Sequence, residues 1–269
     1  MRRKFSVYQI SAMAVAISSL LLSVVRIIVL KNNIEINGSQ SKYYYILKNT
    51  ETITFLVFAC CFVLAYAVIG FLLGKKANAF IPFDSSPVVF SSALCGFMLL
   101  ATGLYYSYQY ITGQIVSGAK FAISLGMVFA SVMFLDLALQ KEGQKRKSVT
   151  YLRFVVCGYA IMRLVLDFVE QNRIPANSAS IFHILGLISF MLFAVYEGIM
   201  EFNFKSMRSY IITGYLCVFF LIVYAMPNLA ITLLDYSIDP YILLSAVDIA
   251  LAFYVLSRVY SVCAENHKN

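Results

Sequence analysis

The chain has 269 residues, 61% of them hydrophobic and 13% charged, with a formal net charge of +8. A soluble domain is typically about 45–50% apolar and about 25% charged, so this composition excludes an ordinary soluble enzyme and points to a chain embedded in lipid. Roughly 20 residues per span plus short loops use up the length in about eight helices. That leaves no solvated surface to carry a basic nucleic-acid face, and the expected fold class is all-α, a polytopic transmembrane helix bundle.

The expected spans are 9–31, 52–74, 87–110, 117–139, 150–172, 180–201, 210–231 and 241–262. They form a single integral membrane domain over 1–269. The first begins after Arg2, Arg3 and Lys4, as a signal peptide would. Its apolar run outlasts a normal h-region with no small-x-small cleavage site before a polar start, so it reads as a retained helix. The loop after it carries Asn37-Gly38-Ser39, formally a glycosylation acceptor but better read as turn chemistry.

Basic residues fix the orientation. Twelve (Arg2, Arg3, Lys4, Lys75, Lys76, Lys141, Lys145, Arg146, Lys147, Lys205, Arg208 and Lys268) fall on the side of the N-terminus, against four (Lys31, Lys42, Lys48 and Arg173) on the other. Under the positive-inside rule both termini are cytoplasmic, and the expected location is a bacterial cytoplasmic membrane. Tyrosines gather on the opposite side, at Tyr43 to Tyr45, Tyr105, Tyr106, Tyr108, Tyr110, Tyr236 and Tyr241. They read first as an interfacial aromatic belt and second as the lining of an outward-facing mouth.

An internal likeness runs through the spans in order. Arg26-Ile-Ile-Val-Leu corresponds to Arg163-Leu-Val-Leu, Phe62 to Gly70 corresponds to Phe190 to Gly198, and Cys95-Gly-Phe-Met corresponds to Cys217-Val-Phe-Phe. This suggests a 4+4 tandem parallel repeat with halves 1–140 and 148–269. The basic segment 140–148 between the halves reads as a solvated linker, or as a contact for anionic lipid.

The fifth span carries Arg163, Asp167 and Glu170 at i, i+4 and i+7, a single helical face. Charges at such depth turn toward protein or water and mark functional sites by default. Arg26 in the first span and Asp248 in the eighth fall in the same depth band. The candidate ligand-binding residues are therefore Arg26, Arg163, Asp167 and Asp248, around an outward-facing pocket for an anionic or zwitterionic small solute. The competing reading is a structural Arg–Asp pair. Asp136, Glu197 and Glu201 lie near inner helix ends and are expected to snorkel toward the cytoplasmic interface, with Glu197 a stepping stone for any solute path. His183 reads as a polar residue at a helix start.

No catalytic motif, nucleotide loop or metal-ligand spacing occurs, so no catalytic residue, cofactor or metal is assigned. Cys60, Cys61, Cys95, Cys157, Cys217 and Cys263 lie in apolar runs and read as small packing residues. The expected function is that of a small-solute permease or solute-binding membrane subunit, with the bilayer as its environment. The alternative is a non-catalytic sensor or assembly subunit with a separate cytoplasmic protein partner. An enzyme acting on lipid ranks third.

Overall fold

A computed structural model of the chain describes residues 6–36, 43–45, 50–75, 85–114, 117–139, 147–171, 181–201, 207–234 and 242–265. Eight helices occupy them: α1 Val7–Asn33, α2 Thr50–Gly74, α3 Ser86–Ile111, α4 Gly118–Ala138, α5 Lys147–Gln171, α6 Ile181–Glu201, α7 Met207–Leu234 and α8 Ile242–Glu265. Every boundary lies within three residues of the span expected from sequence. After α1, two three-residue strands, β1 Ile34–Ile36 and β2 Tyr43–Tyr45, form an antiparallel ladder where only a loop was expected. Asn37 to Ser39, segment 140–146, Tyr236 and Tyr241 lie outside the described residues, as do the side chains of Glu170, Glu201 and Cys263.

Among the described residues, seven helices are long and apolar enough to cross a membrane. The remaining one, α5, has 25 residues, about 37 Å at 1.5 Å per residue, but carries Arg153, Arg163, Asp167 and Glu170. Apolar side chains cover much of the outer surface, including Leu21, Val57, Phe71, Phe97 and Phe129. Facing outward, they satisfy the demand of lipid for a hydrocarbon-like surface. Cys60 and Cys61 are on this exposed face, whereas Cys95 and Cys217 are buried in packing.

The centre of the bundle is α7, which packs on α1, α2, α6 and α8; α8 packs also on α1 and α3. Tyr210, Tyr215, Phe219, Leu221, Leu251 and Val255 are buried there. Hydroxyl pairs tie the neighbours: Ser11 to Tyr215 at 2.6 Å, Ser85 to Ser261 at 2.7 Å, and Ser107 to Ser124 at 2.9 Å. Such bonds hold helices together in lipid, where apolar contact alone gives no net driving force.

Close approach is set by small residues. A Cβ added to Gly103 in α3 would stand 2.8 Å from the Ser124 carbonyl oxygen of α4 and 3.1 Å from the Met127 Cβ. Gly103→Ala is therefore expected to destabilise by about 1–3 kcal/mol through forced separation of α3 and α4. Gly158→Ala, where a Cβ meets nothing within 4 Å, should be neutral or gain up to about 1 kcal/mol of helix propensity. Thermal unfolding of the two purified variants, compared side by side, checks both.

Candidate functional site

Arg163, Asp248 and Arg26 are fully buried, and His183 nearly so at 4% exposure. Arg163 grips Asp248 with both prongs of its guanidinium, Nη1 to Oδ1 at 2.6 Å and Nη2 to Oδ2 at 2.9 Å. The Nη2 contact is a charge-assisted hydrogen bond and the Nη1 contact an ion pair, stronger together than a bond between neutral groups. The same Nη1 donates to the Tyr159 hydroxyl at 3.2 Å, and Nε lies 3.5 Å from Asp167 Oδ2, one turn along α5. The coincidence of depth read from the sequence thus becomes a contact between α5 and α8.

His183 belongs to the same cluster and is not a bystander at a helix start. Its Nε2 lies 3.1 Å from Arg163 Nη2, 3.4 Å from Asp248 Oδ2 and 3.8 Å from Asp167 Oδ2. Its ring stacks on Tyr224 of α7 at 4.4 Å and 10°. One histidine and two carboxylates would suit a metal by residue type, but the Arg163 guanidinium occupies the space among them.

Arg26 has a different task. Pro227 lies inside α7 and has no N–H to give to the carbonyl four residues earlier, that of Val223. The Arg26 Nη1 donates to that carbonyl at 2.6 Å. Its guanidinium also lies 5.1 Å from the Phe182 ring centre and 5.6 Å from that of Tyr224, a cation–π arrangement. Arg26 therefore meets the Arg163 cluster through the Tyr224–His183 stack.

A second ionic cluster lies along the same helices. Arg258 of α8 is fully buried and Glu197 of α6 is 3% exposed, with Nε to Oε1 at 2.5 Å. The Tyr254 hydroxyl lies 3.2 Å from each Glu197 carboxylate oxygen, and Arg153 of α5 donates to the Glu197 backbone carbonyl at 3.0 Å. Glu197 does not snorkel to an interface: α5 and α7 flank α6, and the buried Arg258 holds its carboxylate inside. Asp136 is half-buried in α4.

Three helices, α5, α6 and α8, thus each give one group to each cluster: Arg163, His183 and Asp248 to the first, Arg153, Glu197 and Arg258 to the second. Ten residues separate the two levels on α5 and on α8, about 15 Å of helix. Beside the second cluster is a hollow of about 10 Å³, lined by Arg153, Glu197, Tyr254, Met133, Phe134 and Phe193. That is room for about one water molecule.

Sequence reasoning missed Arg153, Arg258 and the role of His183. The available signal was their spacing: Arg153 and Arg163 on α5, His183 and Glu197 on α6, and Asp248 and Arg258 on α8 place ionisable groups at two levels of each apolar run. The partner of Arg26 was also readable, because a proline at 227 frees the carbonyl at 223. No protein-family model, no curated protein and no solved structure matches this chain.

Proposed function

We propose that the protein is a small-solute permease of a bacterial cytoplasmic membrane, with both termini cytoplasmic and α5 as the eighth span. It carries an anionic or zwitterionic solute without catalysing a reaction. The observation that carries this reading is the paired ionic clusters on α5, α6 and α8, two levels of buried charge on one set of helices. Burying an ion costs several kcal/mol even after relaxation, and a mere anchor needs no such groups at two depths. Arg163, Asp167 and Asp248 form the outer closure and the solute-recognition site, with Arg26 supporting it through α7. Glu197, Arg258 and Arg153 form the inner closure, and the solute's charge replaces one partner of each pair in turn.

The 4+4 repeat with halves 1–140 and 148–269 belongs to the same proposal. The packing of α1 on α2 parallels that of α5 on α6, and α3 on α4 parallels α7 on α8. Arg26 and Arg163 lie seven and eight residues before their helix ends. Any such duplication has diverged, because α7 packs on α1, α2 and α6 while its counterpart α3 packs on α4 and α8.

One observation favours the alternative, a sensor or assembly subunit with a separate cytoplasmic partner. Arg163 and Asp248 are dry and ion-paired, as a structural clasp would be. Reconstitution decides between them. The protein alone in liposomes, offered a panel of labelled amino acids and short carboxylates, is expected to accumulate at least one of them. Arg163→Gln should reduce that uptake by about tenfold or more, the loss from removing a charged bidentate contact. No uptake of any panel member, together with a cytoplasmic protein that stays bound through purification, overturns the permease in favour of the subunit.

A further inference from the structure

The contacts of one nitrogen atom deepen the permease reading, and the inference rests on that reading for its purpose. His183 Nε2 is 3.1 Å from an Arg163 nitrogen and 3.4 Å and 3.8 Å from carboxylate oxygens of Asp248 and Asp167. Guanidinium nitrogens only donate, and ionised carboxylates only accept. The imidazole nitrogen between them can serve one side at a time. Neutral, with its proton on Nδ1, it accepts the Arg163 N–H. That leaves Nδ1–H without a hydrogen-bond partner among the described residues, a buried donor held at a cost. Protonated, Nε2–H turns to the carboxylates and opposes the Arg163 N–H it had accepted.

We propose that His183 is the proton-binding site of this protein, and that proton uptake there loosens the two-pronged grip of Arg163 on Asp248 and opens the outer closure. The proton comes from water at the outer end and adds to Nε2. The donor is hydronium: one O–H bond breaks as the Nε2–H bond forms, water is released, and the Arg163–His183 hydrogen bond is exchanged for one from Nε2–H to a carboxylate. Asp167, one turn nearer the end of α5 and 12% exposed in its side chain, is the group through which it enters. The charged and titratable groups facing the imidazole come from every helix packed around it. Arg163 and Asp167 come from α5 and Asp248 from α8; Tyr224 of α7 stacks on the ring, and Arg26 of α1 lies behind Tyr224. With both arginines and both aspartates charged the group is neutral. A proton on His183 makes it +1, and the Arg163 side chain is the cation free to swing toward an incoming anion. Proton and anion then enter together, and linkage makes each favour the other.

The test needs no solute. The chain contains no tryptophan, so Tyr224→Trp gives a single reporter on the ring stacked against His183. Acrylamide quenching of that tryptophan, in purified full-length protein in lipid nanodiscs, reads opening of the outer closure. Between about pH 8 and about pH 5, the range in which histidine side chains commonly change charge, the quenching constant is expected to rise about twofold as the open population grows. In the Tyr224→Trp, His183→Gln protein it should stay flat, and His183→Asn serves if the glutamine variant is not monodisperse. Hydrogen exchange of the unmodified protein over 159–167, corrected for the intrinsic effect of pH, reads the same opening without a reporter. A flat response with His183 present, or an equal rise without it, overturns the proton site. Either result leaves the permease itself to the uptake experiment, and absence of uptake leaves the quenching result standing.

Discussion

Asp248→Ala is expected to destabilise the bundle by about 3–5 kcal/mol, the cost of leaving a buried charge without its partner. Arg163 is fully enclosed, and both of its prongs end on Asp248. Asp167, at 3.5 Å from Nε, recovers a small part of the loss. The variant should unfold at a clearly lower temperature in detergent or fail to purify as a single species. The double variant Arg163→Met, Asp248→Leu should lie within about 1–2 kcal/mol of the parent, because removing both charges also removes the desolvation penalty. The difference between the single and double variants isolates the coupling of the pair. If Asp248→Ala alone matches the parent in thermal stability, water or another anion reaches Arg163, and the closed, dry description of this cluster fails.

The second large effect is expected at Glu197. Truncation to alanine removes the carboxylate from Arg258, 2.5 Å away, and from the Tyr254 hydroxyl. A loss of about 3–5 kcal/mol follows for the same reason. Glu197→Gln keeps an acceptor for Tyr254 but no charge for Arg258, and should fall between parent and alanine at about 1–3 kcal/mol. Thermal unfolding of the two variants gives the order directly. Equal, small losses for both would mean that Arg258 is neutralised by another group and that Glu197 is a passenger.

How much of this was legible in the sequence depends on the length scale. Helix existence and ends were legible because lipid demands runs of about 20 apolar residues, and each run here stops at a polar segment such as Lys75-Lys76 or Gln140 to Ser148. The Arg163–Asp248 contact was legible as a depth coincidence, because two unpaired charges at one level of a bilayer are too costly to leave apart. Arg258 and Arg153 were not legible on that argument. Each sits close enough to a helix end for its aliphatic stem to reach an interface, and only the packing of α8 on α1, α3 and α7 shows that the way out is blocked. His183 escaped for the same reason, since only tertiary packing reveals that a position two residues into α6 is covered by Tyr224.

The bond from Arg26 to the Val223 carbonyl also constrains how the molecule can flex. A carbonyl stripped of its own helical donor cannot be left bare in hydrocarbon without a penalty of several kcal/mol, so α1 is tethered to α7 at the very point where the proline weakens it. Those two helices must travel as a single strut. α5 stands outside that strut: it packs on α4 and α6 and is latched to α8 through the Arg163–Asp248 clasp.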